Sequence, residues 1–117
     1  MPQKALKDQV FDLDPNIRYC ALVDQFGEFL EGGMRPGIKS ITPKEDDRKM
    51  LVQTALARGM AKTWESYFGA HKFSMIAHEK LVVLRFPLGK KIMIITAEPE
   101  MSLDVTRKIE DILKVTA

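Results

Sequence analysis

Residues 16–33 read NIRYCALVDQFGEFLEGG. From Ile17 to Val23 apolar side chains alternate with other residues, which is typical of a β-strand. Asp24-Gln25-Phe26-Gly27 then supplies turn-forming residues, and a second short run follows from Glu28 to Glu31. This stretch predicts a β-hairpin that turns at Gly27.

A segment rich in glycine and proline follows the hairpin. Gly32-Gly33, Pro36-Gly37 and Pro43 predict a loop of about ten residues, which is long for a compact domain. Such a loop is either a binding or flexible segment or a plain connector. Within it, Arg35 is a candidate contact for an acidic partner, and a solvated loop arginine is the alternative. The glycines match neither a Walker loop nor a dinucleotide fingerprint.

The central segment predicts one long helix. Thr42-Pro43-Lys44-Glu45 has the composition of a capping box, with proline at the first helical position. No further proline intervenes before Phe68, and Gly69 stands where a helix often ends. A helix of about 26 residues would be roughly 39 Å long.

This helix carries two apolar stripes, and one sheet face cannot easily cover both. The first stripe contains Met50, Thr54, Ala57, Ala61, Trp64 and Phe68, and the second contains Val52, Leu56, Met60 and Tyr67. We expect the first stripe to face the sheet, with Trp64 buried there. An exposed Trp64 acting as a binding hot spot is the alternative.

The last third of the chain predicts three strands and a helix, and the first residues predict another helix. The strands are Phe73–Ala77, Leu81–Phe86 and Lys91–Ala97, and the final helix follows a capping Ser102. Leu6, Val10 and Leu13 give the N-terminal segment a short amphipathic pattern. The element order is therefore α-β-β-α-β-β-β-α.

Composition predicts one globular domain over residues 1–117. The chain is 45% hydrophobic and 29% charged, with 18 basic and 16 acidic residues interspersed, so no nucleic-acid footprint is expected. A single cysteine, Cys20, excludes an intramolecular disulfide and suits a reducing, cytoplasmic compartment. The charged N-terminal segment is expected to be neither a signal peptide nor a membrane span.

Reactive side chains are few. His71 and His78 are placed seven residues apart on one predicted strand, hence on opposite faces, which argues against a shared metal ion. Cys20 lies in an apolar alternation and is expected to be a small core residue. No nucleophile has a base nearby in a known motif. We therefore expect no catalytic, cofactor-binding or metal-binding residues and no enzymatic activity.

The hairpin of residues 16–33, the long helix and the meander from Phe73 to Ala97 resemble the roadblock/dynein light chain family over nearly the whole chain. The resemblance implies an α+β fold with a five-stranded antiparallel sheet in the order 2-1-5-4-3. The long helix would cover one face and the terminal helices the other. Within this superfamily the chain most resembles short, uncharacterised archaeal proteins, through Asp14-Pro15 with Ile17-Arg18, Gly32-Gly33-Met34-Arg35, Glu45-Asp46 and Tyr67-Phe68-Gly69. Family members usually dimerise through the long helix and an adjoining strand edge, and they act as scaffolds or as regulators of small GTPases and motors.

From the second stripe we predict a homodimer interface. Small residues four apart, including Ala55 and Gly59, would let a second backbone approach closely. The predicted interface residues are Val52, Leu56, Gly59 and Met60 on the helix, and Phe73 and Met75 on the edge strand. A monomer whose second stripe is covered by other segments is the alternative. A different functional reading is a profilin- or PAS-like sensor that holds a small ligand between sheet and helix.

Overall fold

A computed structural model describes residues 4–116. The helices are α1 (Leu6–Phe11), α2 (Asp47–Lys62), α3 (Glu65–Phe68) and α4 (Asp104–Thr116), and a 3₁₀ turn (Lys44–Asp46) leads into α2. The strands are β1 (Ile17–Asp24), β2 (Phe29–Met34), β3 (Ser74–Ala77), β4 (Val82–Leu88) and β5 (Lys91–Ala97). Within the described residues, no helix combines the length and the apolar character that a membrane crossing requires.

The five strands form one antiparallel sheet in the order β2-β1-β5-β4-β3, which confirms the predicted topology. Strand β1 pairs with both β2 and β5. The predicted hairpin therefore forms, and its first strand is an inner strand of the sheet. The edges are β2 and β3. The central strands are buried on both faces, because apolar side chains of β1, β4 and β5 point alternately to either side.

Each face of the sheet is covered as predicted. Helices α1 and α4 cover one face through a large core that includes Phe11, Leu84, Phe86, Met93 and Ile109. Helix α2 covers the other face over a smaller cluster, in which Leu51 packs with residues of β1, β4 and β5. Asp104 begins α4, and its backbone N–H donates to Ser102 Oγ at 3.3 Å, which is the cap expected from the sequence.

The prediction of one 26-residue helix is wrong. Helix α2 has 16 residues, about 24 Å at 1.5 Å per residue. At its end the N–H groups of Thr63 and Trp64 bond to the carbonyls three residues earlier, Met60 and Ala61, which tightens the last turn and redirects the chain. At its start Thr42 does not cap the helix. The Thr42 hydroxyl lies 3.1 Å from Ser40 Oγ, and the cap positions of the 3₁₀ turn and of α2 are Pro43 and Asp46.

Several strand boundaries also differ from those expected; among them, β1 ends at Asp24 and β4 begins at Val82. Strand β2 continues through Gly32 and Gly33 to Met34, which shortens the loop to residues 35–43. Gly32 has φ of +124°, and a Cβ there would overlap the Cys20 carbonyl oxygen of β1, so only glycine allows the two strands to pair this closely. Strand β4 runs through Pro87 to Leu88, and β3 begins at Ser74 instead of Phe73.

Candidate protein-interaction surface

Helix α2 turns a row of apolar residues away from the sheet. Its buried residues are Leu51 and Thr54, whereas Val52, Leu56 and Met60 are exposed, Leu56 by 63% and Met60 by 72%. A Cβ built on Gly59 would meet no described atom within 4 Å. We call Val52, Leu56, Gly59 and Met60 the α2 outer surface, and the sequence predicted all four at this position.

The next turn of the chain adds three exposed aromatic side chains, Trp64, Tyr67 and Phe68, which we call the aromatic cluster. Trp64 is 53% exposed and the other two are 79% exposed. The Trp64 and Phe68 rings stack with their centroids 5.8 Å apart, and the centroid of the Tyr67 ring lies 6.4 Å from that of Trp64. The prediction that Trp64 and Phe68 face the sheet is therefore wrong, because α2 ends at Lys62 and the turn after it carries both rings outward.

A polar network holds α3 against β3. The Glu65 carboxylate accepts a hydrogen bond from the His71 backbone N–H at 2.8 Å and lies 3.5 Å from Arg58 Nη1. The His71 ring lies between two polar side chains. Its Nδ1 is 3.4 Å from Arg58 Nη1, and its Nε2 is 2.8 Å from Ser74 Oγ. Burial and the neighbouring Arg58 lower the pKa of His71, while the His71 N–H and Arg58 lower the pKa of Glu65. This network fixes the position of the aromatic cluster.

The two histidines are not on a strand, contrary to the sequence interpretation. His71 precedes β3, and His78 follows it in a turn where its N–H donates to the Leu81 carbonyl at 2.8 Å. The described residues contain no group of three His, Cys, Asp or Glu side chains placed to hold a metal ion. Cys20 is a buried core residue, as expected, and burial raises the pKa of its thiol to about 12.

Strand β3 lies at the sheet edge beside the aromatic cluster, and among the described strands it pairs only with β4. Met75 and Ile76 are exposed on it, so Met75 lies where the interface prediction needs it. Phe73 differs from its predicted role. Its ring packs inward and stacks on Phe86 with centroids 5.4 Å apart, so it contributes to the core.

Arg35 is a structural residue and not the free partner contact that we considered from the sequence. Its guanidinium donates to the backbone carbonyls of Ile17 (2.6 Å), Phe11 (2.7 Å) and Asp14 (2.8 Å). The same group lies 5.0 Å from the centroid of the Phe11 ring, within cation–π range. Arg35 therefore joins the end of β2 to α1 and to the start of β1.

Sequence reasoning missed a buried arginine beneath α2. Arg85 lies within the apolar strand β4, and its Nε donates to Thr54 Oγ1 at 3.1 Å. The Thr54 hydroxyl in turn donates to the Met50 carbonyl at 2.9 Å. Burial lowers the pKa of Arg85. Arg85 is the one charged residue in the otherwise apolar strand β4. Its presence there was the signal in the sequence that the side of β4 facing α2 holds a polar contact.

A cavity of about 260 Å³ lies between the sheet, the first turns of α2 and the loop at Ser40–Thr42. Tyr19 and Thr96 line it from the sheet, and Met50 lines it from the helix. Burial raises the pKa of Tyr19, and the nearby Asp47 carboxylate raises it further. This is the position at which the small-ligand alternative requires a cavity.

Comparisons with known proteins identify a family and the fold. A protein family described as "Family of unknown function (DUF6659)" matches residues 4–115. No curated protein matches the chain. Among solved structures, the Roadblock/LC7 domain from Streptomyces avermitilis is 9% identical with a TM-score of 0.73, over 95% of this chain and 91% of that one. Myxococcus xanthus MglB is 17% identical with a TM-score of 0.70, over 95% and 90% of the two chains. Acanthamoeba castellanii profilin II is 12% identical with a lower TM-score of 0.59, over 98% and 95%. These similarities show a roadblock-type fold, and the proximity to archaeal members stays a prediction.

Proposed function

The chain belongs to the DUF6659 family, and on its roadblock-type fold we propose that it is a homodimeric protein-interaction module. The observation that carries this proposal is the series of exposed apolar side chains on the α2 outer surface, in the aromatic cluster and on the edge strand β3. The three follow one another along the chain between Val52 and Ala77, and each exposes large apolar side chains. Such a surface is unusual on a protein that stays a monomer.

The size of the surface supports a dimer. The three rings of the aromatic cluster alone expose on the order of 400 Å², given that an aromatic side chain presents roughly 150–250 Å². A standard interface buries about 800 Å² on each partner. The α2 outer surface and the edge strand add their exposed area to that of the aromatic cluster, which brings the total within reach of this value. A twofold axis would place the same residues of both chains against each other.

Two further features support close approach of a second copy. Gly59 weakens a helix by roughly 1 kcal/mol relative to alanine, and within the described residues no neighbour needs the space it leaves. Crossing of two α2 helices at Gly59 would use that space. Pairing of two β3 edges would satisfy backbone groups that otherwise invite uncontrolled association.

A dimer through α2 and β3 would leave the opposite edge of the sheet available for another protein. At that edge the β1–β2 hairpin exposes Phe26, Phe29 and Leu30. We propose that the second partner is a small GTPase-like protein and that the complex is cytoplasmic. The resemblance to roadblock regulators and the single, buried cysteine support these two points.

The proposal includes no enzymatic reaction. Cys20 is buried with a raised pKa, so its thiol is protonated and shielded. The His71 ring is held between Arg58 and Ser74, where its nitrogens already have neighbours within hydrogen-bond distance. We therefore assign structural roles to the Cys20 thiol and the His71 ring.

Light scattering at micromolar concentration tests the dimer. The wild type is expected at twice the chain mass, and Leu56→Glu is expected at the monomer mass because a charge would be buried in an apolar contact. Val115→Glu is the matched control, since Val115 is 86% exposed on α4, on the other face of the sheet. Capture from a lysate supplied with GTP or GDP tests the partner, which is expected to bind differently in the two nucleotide states.

A further inference from the structure

The packing of α2 on the sheet is complete at one end and open at the other. At the closed end Val23 and its cross-strand neighbour Ile92 are buried beneath the helix. At the other end Tyr19, Met50 and Leu81 belong to the same cluster but are only partly buried, and they line the cavity. The opposite face of the sheet has buried aromatic and aliphatic side chains from α1 and α4, and the cavity beside α1 is smaller, about 160 Å³.

The floor of the cavity contains a threonine hydroxyl that no described residue bonds. Thr96 is 9% exposed and lines the cavity, and no residue in the described range 4–116 forms a hydrogen bond with its side chain. The register places Thr96 beside Tyr19, which in turn pairs with Met34 of β2, so one row across the sheet forms the floor. No side-chain nitrogen or oxygen among the described residues is both fully buried and without a partner, so this hydroxyl keeps accessible surface and is free to bond a ligand or water in the cavity.

The charges at the mouth favour a cation. Arg18 lines the cavity but is already paired, since its Nη1 donates to Glu98 Oε1 at 2.6 Å and its Nη2 donates to the Lys39 carbonyl at 2.7 Å. Lys49 lies 3.6 Å from Asp46. The Asp47 carboxylate, in contrast, lines the cavity and forms no hydrogen bond or ion pair within the part of the chain that the structure describes. Its charge contributes to the raised pKa of Tyr19.

We infer that this cavity is a binding site for a small, mainly apolar amine. The apolar body would contact Met50, Leu81 and Ile94, its ammonium group would pair with Asp47, and the hydroxyls of Tyr19 and Thr96 would lie beside it. A volume of about 260 Å³ corresponds to roughly nine waters, which suits a molecule of about ten non-hydrogen atoms. The site is independent of the proposed dimer, because it lies between α2 and the sheet and not on the outward side of the helix.

NMR titration of the full chain labelled with ¹⁵N tests the site with three probes of similar size, phenethylamine, 2-phenylethanol and phenylacetate. Phenethylamine is expected to give saturable shifts at the amides of Tyr19, Ile41 and Thr96 below about 10 mM. The alcohol is expected to bind about tenfold more weakly, because it lacks the charge that pairs with Asp47. Phenylacetate, which is repelled by the same carboxylate, is expected to bind more weakly than the alcohol.

Two variants locate the binding. Asp47→Asn is expected to weaken phenethylamine about tenfold and to leave 2-phenylethanol unchanged, while Asp111→Asn on α4 changes neither. Ile41→Trp, at an exposed loop position, is expected to narrow the cavity and weaken both probes. The inference is overturned if phenethylamine gives no saturable shifts, if phenylacetate binds as well as the amine, or if the shifts map to the aromatic cluster. Light scattering on the same samples reports the dimer separately.

Discussion

Replacing Arg35 by alanine should destabilise the fold without touching the interaction surface. The substitution removes three hydrogen bonds from a cationic donor to backbone carbonyls and one cation–π contact with Phe11. Each such bond contributes about 1 kcal/mol net when water can partly replace it, and the ring contact about 0.5 kcal/mol. The expected loss is therefore about 3.5 kcal/mol, roughly three-hundredfold in the unfolding equilibrium constant.

Urea unfolding followed by circular dichroism measures this loss at one fixed protein concentration. With a slope of about 2 kcal/mol per molar urea, the midpoint should fall by about 1.8 M. Arg35→Lys should recover only part of the loss, since one ammonium cannot reach three carbonyls on separate segments. Arg107→Ala, on the exposed side of α4, is the control and should change stability by less than about 0.5 kcal/mol. If Arg35→Ala keeps wild-type stability but loses a protein partner, Arg35 is a partner contact and the structural role is wrong.

Two other perturbations test the polar contacts beneath and beside α2. Because the folded state lowers the pKa of His71, the unfolded chain binds the proton more readily, so stability should decrease as the pH falls from about 7 to 5. In His71→Gln, urea midpoints measured across that range should show a weaker pH dependence, and an unchanged dependence would contradict this role. Thr54→Val should cost about 2 kcal/mol, because it leaves the buried guanidinium of Arg85 without its hydrogen bond. Thr96→Val removes a hydroxyl that has no partner among the described residues, so its effect on stability should be neutral or slightly favourable. Equal losses of stability for Thr54→Val and Thr96→Val in thermal denaturation would refute the different roles of the two hydroxyls.

The sheet could be predicted because its signals are local. Alternation along β1, a turn of Asp24 to Gly27 and β-branched residues in β5 each specify one element. The Asp24 carboxylate also accepts hydrogen bonds from the N–H groups of Phe26 and Glu28, so the turn residues stabilise the hairpin as their types suggest. The strand order then depended on the family resemblance, since periodicity alone does not order strands.

The end of α2 could not be predicted, because no proline or glycine marks it. The chain leaves the helix at Thr63 through bonds to residues three positions earlier, and the polar network around Glu65 and His71 holds the new direction. That network joins residues from three elements, which a one-dimensional pattern does not bring together. The same reason explains why Arg35 was read as a loop residue, since its three acceptors lie between 18 and 24 positions away.

Oxidative cross-linking of Gly59→Cys tests the proposed dimer most directly. The native Cys20 is buried and its thiol has a raised pKa, so residue 59 would carry the reactive thiol. Crossing of two α2 helices at this position would bring the two Cα atoms to the separation of about 4–7 Å that a disulfide needs. We predict a covalent dimer on a non-reducing gel at micromolar protein, with Val115→Cys staying monomeric. A Gly59→Cys chain that stays monomeric while the Val115→Cys chain cross-links would contradict the interface.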